Sequence, residues 1–138
     1  MKKTCIVATL LLYSIIATAQ SLTGTLKHHA GQQISLTGFN YYDSYELAKT
    51  TVDSLGNFTL NYPKAYNGMA ILQSQDNNRL VFVLAEKNIH LEGNHLKNKD
   101  KLQFINSGEN TFFLKYVDQE EKRSQTLGCN NEHQSPPV

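Results

Sequence analysis

Apolar and polar residues alternate with a two-residue period over most of this chain, and that period predicts strands. Leu22, Gly24 and Leu26 alternate with Thr23, Thr25 and Lys27, and Ile34, Leu36 and Gly38 with Ser35, Thr37 and Phe39. Ala48, Thr50 and Val52 share one face of an extended segment, and Phe58, Leu60 and Tyr62 share one face of the next. Between them lies Asp53-Ser54-Leu55-Gly56-Asn57, where Asp53 can hold backbone N–H groups just ahead of it and Gly56 can take a positive φ. This reads as a hairpin at the centre of an antiparallel sheet. Met69 and Ile71 alternate with Ala70 and Leu72, Ile89 and Leu91 with His90 and Glu92, and Leu102 and Phe104 give a last short strand. Leu80–Leu84 is a continuous run of β-formers, which predicts a strand that is central or covered on both faces.

The period changes after Asn106. Asn106-Ser107-Gly108-Glu109-Asn110 is a helix-start signal. Asn106 as N-cap places Glu109 at N3, as in a capping box; Ser107 as N-cap places Asn110 there. Phe112, Phe113, Tyr116 and Val117 then recur at helical spacing and predict a docking stripe on a Phe112–Arg123 helix. Asp118–Arg123 is polar, so the second half of that helix is expected in water. Short turns and the absence of β–α alternation predict a mainly β fold: an antiparallel β-sandwich of seven or eight strands with one C-terminal helix.

The ends of the chain set the expected domain limits. Met1-Lys2-Lys3, the apolar run Cys5–Ile16 and the small-residue pattern Ala17-Thr18-Ala19 read as a secretory signal peptide over residues 1–19, with the folded domain at 20–123. Ser124–Val138 is almost devoid of apolar residues and ends Ser-Pro-Pro-Val, the composition of a disordered tail over 124–138. The apolar run is short for a bilayer span, and no later stretch is long enough for one. The expected location is therefore secreted or periplasmic. Loss of Lys2 and Lys3 takes 13 basic residues to 11 against 12 acidic ones, a formal net charge of −1. Such a surface argues against nucleic acid as a partner. Two cysteines become one, Cys129, so no internal disulfide is expected, although Cys129 is available to another chain.

Candidate chemistry is thin. His28, His29, His90 and His95 have no structural-zinc spacing, and they read as loop or surface histidines. His28 and His29 still offer a weak metal contact if a distant partner joins them. Gly128-Cys129-Asn130 lacks the electropositive setting of a reactive thiol, and there is no Cys-x-x-Cys. Neither a nucleophile elbow nor a phosphate loop is present. Asp76-Asn77-Asn78 lacks the Gly and downstream Glu of a calcium loop. No catalytic, cofactor-binding or metal residue is assigned. Tyr41, Tyr42 and Tyr45 lie in a polar–aromatic connection. They read either as caps on an open sandwich end, rings inward, or as a ligand-stacking surface.

Several short motifs, in this order, resemble one family. They are Ile34-Ser35-Leu36-Thr37-Gly38-Phe39, Val52–Phe58, Tyr66-Asn67-Gly68-Met69-Ala70, Val83-Leu84-Ala85-Glu86, and Phe104–Asn110 leading into Phe113-Leu114-Lys115-Tyr116. Over about Ser21–Lys122 the chain is similar to the β-rich domain that precedes the thioredoxin-like domain in secreted bacterial thiol–disulfide oxidoreductases of the TlpA-like and peroxiredoxin-like group. The resemblance implies a non-catalytic accessory domain acting in protein contact or positioning, alone or as its own oligomer, without a cofactor. In that family the helix leads on to the redox domain; here no residue matches the redox motif, so the redox activity does not carry over. A shortened relative and a stand-alone module both fit. An independent ligand-binding module, transthyretin-like or carbohydrate-binding, using Tyr41, Tyr42 and Tyr45, is the alternative.

Overall fold

The computed structural model describes residues 19–129, and the expected signal peptide and most of the expected tail lie outside the described residues. Eight strands form two four-stranded sheets, and one helix follows them. The strands are β1 (Gln20–Leu26), β2 (Gln33–Phe39), β3 (Ser44–Thr51), β4 (Asn57–Tyr62), β5 (Gly68–Ser74), β6 (Arg79–Leu84), β7 (Asn88–Gly93) and β8 (Gln103–Ile105); the helix is α1 (Gly108–Cys129). The sheet orders are β4-β1-β7-β8 and β3-β2-β5-β6. The expected mainly β architecture with one late helix is therefore what the chain forms.

The first sheet is mixed rather than purely antiparallel. β1 and β7 run parallel, with Leu22 opposite Ile89 and Gly24 opposite Leu91. Parallel neighbours need a long crossover, and the whole second sheet lies between these two in sequence. Turn spacing reports only how consecutive strands connect, so it could not reveal this pairing.

The segment read as a central hairpin is a corner between sheets. β3 edges one sheet and β4 edges the other. The turn chemistry itself is as expected: the Leu55 and Asn57 N–H groups donate to Asp53 Oδ1 at 2.9 and 2.7 Å, and Gly56 has φ +90°. The surroundings redirect the chain. The Val52 N–H donates to Gln32 O at 2.9 Å, which holds Val52 beside β2, while the Leu26 N–H donates to Gly56 O at 2.7 Å, which starts the pairing with β1. A Cβ at Gly56 would lie 2.7 Å from Lys27 Cα, so the corner needs a glycine for space as well as for φ.

Alternation fills the space between the sheets. Leu22, Leu26, Leu60, Tyr62, Ile89 and Leu91 come from one side, and Ile34, Leu36, Leu72, Leu80, Phe82 and Leu84 from the other, all fully or nearly fully buried. Removing such a side chain from water contributes about 1.5–3 kcal/mol. β6 is not central, however: it is an edge strand. Leu80, Phe82 and Leu84 point inward, whereas Val81 is exposed on the outer face.

α1 closes the seam between the edges of β6 and β8, and its phase differs from the expected one. Asn110 and Leu114 face the sandwich, while Phe112 and Tyr116 are 73% and 55% exposed. Polar anchors set this rotation. The Val83 N–H donates to Asn110 Oδ1 at 2.7 Å, and Asn110 Nδ2 donates to Val83 O at 2.8 Å and to Ser107 Oγ at 2.9 Å. Thr111 Oγ1 donates to Ser107 O at 2.8 Å. With Asn110 and Thr111 turned inward, a 3.6-residue helix turns Leu114 inward and swings Phe112 and Tyr116 out. Ser107 is thus the residue before the helix, Asn106 sits at φ +62°, and Glu109 is exposed rather than closing a capping box. The helix also runs on past Arg123 to Cys129, six residues beyond its expected end.

Candidate functional site

The histidines come together more than their spacing indicated. A single 3-10 turn, Lys27–His29, and the loop after β7 bring His28, His29 and His95 to one end of the sandwich. The His29 and His95 ring centroids are 4.5 Å apart, and those of His28 and His95 are 6.0 Å apart. His29 lies in the turn between β1 and β2, as a loop histidine would, but it is fully buried rather than at the surface. The 3-10 turn tucks its ring beneath the loop, where each ring nitrogen has a partner. The Leu96 N–H donates to His29 Nε2 at 3.2 Å, so Nδ1 carries the proton and donates to Gln32 Oε1 at 2.9 Å. The Lys97 N–H likewise occupies His95 Nδ1 at 2.9 Å.

Lone pairs committed to backbone N–H groups are not free for a metal, and no group of three metal-ligating side chains forms among the described residues. Burial, and then the neighbouring His29, hold His95 below the ordinary histidine pKa, while Asp76 pulls the other way. His90 stands apart on the outer face of the first sheet, 2.9 Å from Thr23 Oγ1 and 3.4 Å from Glu92. The arrangement is a packed corner: it holds the loop after β7 and presents no nucleophile–base pair.

The tyrosines divide into two groups. Tyr41 and Tyr42 are 96% and 98% exposed, which corrects the rings-inward expectation. The Asn40 N–H donates to Asp43 O at 2.7 Å, closing a tight turn between β2 and β3 whose apex lies out of reach of the core. Tyr66, in the loop between β4 and β5, closes that end instead. Its hydroxyl accepts from the Phe39 N–H at 2.8 Å and donates to Met69 O, and its ring lies against the bare Cα of Gly38. Tyr45 packs edge-on to Tyr66 at 6.1 Å. The signal for Tyr66 was Gly38: a glycine at an inward strand position leaves room for a ring from elsewhere.

The two outer faces differ sharply. On the first sheet, Ser21 reaches Asn88 at 3.1 Å, Thr23 reaches His90 at 2.9 Å, and Thr25 reaches Asn57 at 3.1 Å, a polar ladder suited to water. On the second sheet the register aligns Thr37, Ile71 and Val81 in one row and Met69 with Val83 in the next. Phe39, Met69 and Val81 are exposed there. A groove of about 260 Å³ between α1 and β6, lined by Val81, Phe113 and Val117 among others, continues this apolar surface onto the helix. On the other flank of α1, a groove of about 490 Å³ is bordered by the ion pairs Lys99–Glu121 at 2.7 Å and Lys122–Asp118 at 2.6 Å.

Cys129 ends α1, and its side chain lies outside the described part of the structure. No helix among the described residues is long and apolar enough to cross a membrane.

No family model and no curated protein matches this chain. Among solved structures it is similar to a 9R-lipoxygenase from Cyanothece PCC8801, at 13% identity and a TM-score of 0.40. That likeness covers 54% of this chain and 16% of the lipoxygenase, and at this level it carries no functional argument.

Proposed function

We propose that the chain is a secreted, non-catalytic accessory domain, related to the N-terminal domain of thioredoxin-like thiol–disulfide oxidoreductases and acting by protein contact or positioning. One observation carries the reading: the outer face of the first sheet is polar throughout its ladder, whereas that of the second carries an apolar patch, Phe39, Met69, Ile71, Val81 and Val83, beside a polar end at Gln33, Ser35, Lys49 and Gln73. A sheet with nothing to bind needs only the first kind of face. Its partner is a protein of the same compartment, and the thioredoxin-like oxidoreductases are the class that the sequence motifs indicate.

The test combines processing with binding. The mature chain begins at Gln20, as N-terminal sequencing of secreted material reads out. A purified thioredoxin-like oxidoreductase from the same cell envelope binds it, and Met69→Glu or Val81→Glu abolishes that binding without unfolding the sandwich. Equal binding by wild type and both variants, or none by the wild type, overturns the reading. The exposed pair Tyr41 and Tyr42 favours a second reading, a ligand-binding module of transthyretin-like or carbohydrate-binding type. Two rings at the apex of a turn give a stacking surface that costs the fold nothing. Loss of glycan binding in a Tyr41→Ser/Tyr42→Ser variant tests it, and glycan-array silence of the wild type removes it.

A further inference from the structure

We propose that α1 is a self-association element through which two copies of this chain pair back to back by their helices. The inference is separate from the sheet-face reading above and uses a different surface. α1 carries an apolar stripe that its own fold leaves outside. Leu114 marks the docked side. Phe112 and Tyr116 are each two residues from it, so at about 100° per residue they lie roughly 160° away around the axis, one on each side of the point opposite Leu114. Arg123 lies on the line opposite Leu114, and Leu127, also exposed, falls close to it. Because the stripe faces away from the sandwich, a second copy can approach it without the two sandwiches meeting.

Charge selects the orientation of the partner. Glu109 begins the stripe and Arg123 lies toward its far end. A two-fold axis at the level of Leu114 sets Phe112 of each copy against Tyr116 of the other, an isologous contact in which the helices run antiparallel. The same operation places Glu109 of the second copy about 6 Å along the axis from Arg123 of the first, given a rise of about 1.5 Å per residue. An arginine side chain, which leans toward the N-terminus of its own helix, spans that offset. Each dimer then holds two Glu109–Arg123 pairs. A parallel arrangement would instead set Glu109 against Glu109 and Arg123 against Arg123. Among the described residues of one copy, Arg123 pairs with the solvent-exposed Glu120, 3.8 Å away. The remaining C-terminal residues do not suit the stripe, since Asn130–Val138 is polar up to Ser135 and holds its apolar side chains, Pro136, Pro137 and Val138, only at its very end.

Sedimentation velocity of the full mature chain, kept reduced so that Cys129 forms no disulfide, reads this directly. The expected result is a reversible monomer–dimer equilibrium. Phe112→Glu with Tyr116→Glu leaves the circular dichroism and melting of the monomer unchanged, because both rings are exposed, and weakens dimerisation at least about tenfold. Glu109→Arg and Arg123→Glu each weaken it by roughly threefold or more, and together they restore it to within about twofold of wild type. Only a direct contact between those two positions explains such rescue. A chain that stays monomeric at all concentrations overturns the proposal, as does a dimer indifferent to the aromatic variants or charge reversals whose effects simply add. Each outcome is independent of oxidoreductase binding at Met69 and Val81, so the two readings can fail separately.

Discussion

Asn110→Ala separates the role of polar anchoring from that of apolar burial in α1. The side chain is almost fully buried and makes three hydrogen bonds, to Val83 N, Val83 O and Ser107 Oγ, at 2.7, 2.8 and 2.9 Å. It acts as one residue of an additional strand, satisfying an edge position of β6 that would otherwise be open. A net hydrogen bond contributes about 1 kcal/mol, and a partner left buried and unsatisfied costs about 1–3 kcal/mol. Three bonds lost at a site that water partly re-enters give a destabilisation of about 2–4 kcal/mol. Asn110→Asp is expected to be at least as damaging: the carboxylate still accepts from the Val83 N–H but turns lone pairs toward the Val83 carbonyl. Glu109→Gln is the control and changes stability by less than about 0.5 kcal/mol, as expected for an exposed side chain. Urea unfolding followed by circular dichroism gives the values, with an unchanged m-value showing that the denatured state is unaltered. A loss below about 1 kcal/mol for both Asn110 variants would refute the claim that this residue sets the phase of the helix.

Three further outcomes follow from the geometry. Gly24→Ala places a methyl group against Leu91 O and 2.8 Å from Phe58 Cζ, so it should cost about 1–3 kcal/mol in the same unfolding assay by forcing β1 from its parallel neighbour β7. Tyr41→Ser with Tyr42→Ser should leave the melting temperature unchanged in a thermal scan, since both rings are already in water. The folded chain holds His95 below its unfolded pKa of 6.5, so the unfolded state binds more protons just below that pH. Stability should therefore fall as pH drops from 6.5 toward the folded value, and His95→Ala should remove that step in melting curves. A separate loss, at and below about pH 4, should remain in that variant, because Asp53 and Asp76 both have lowered pKa values held by hydrogen bonds that acid removes.

Most strands were legible because burial on one face imposes a period of two, which Leu22, Leu36, Leu60 and Leu91 obey; in Leu80–Leu84 the sequence is apolar throughout, and only the structure shows Leu80, Phe82 and Leu84 inward and Val81 outward. The corner at Asp53–Gly56 was not legible, since the same aspartate and glycine chemistry closes a hairpin or a turn between sheets. What decides between them is the pairing of Val52 with Gln32 and of Gly56 with Leu26, and neither contact is local. The helix was legible, its rotation only in part: of the stripe Phe112, Phe113, Tyr116 and Val117, Phe113 and Val117 line the groove against β6, while Phe112 and Tyr116 turn outward because Asn110 is held to the edge of β6 and Thr111 to Phe104 O of β8. Of the candidate chemistry, the surface position of His90 agrees with the sequence. The burial of His29 does not follow from it, because a 3-10 turn and a loop more than sixty residues later meet over its ring.

Titration of the isotopically labelled chain with a purified thioredoxin-like oxidoreductase of the same cell envelope, followed by NMR, tests the proposed contact face most directly. Shifts centred on Phe39, Met69, Ile71, Val81 and Val83 are expected, with the polar face of Ser21, Thr23 and His90 unmoved. Shifts confined to that polar face, or none at saturation, would contradict the assignment.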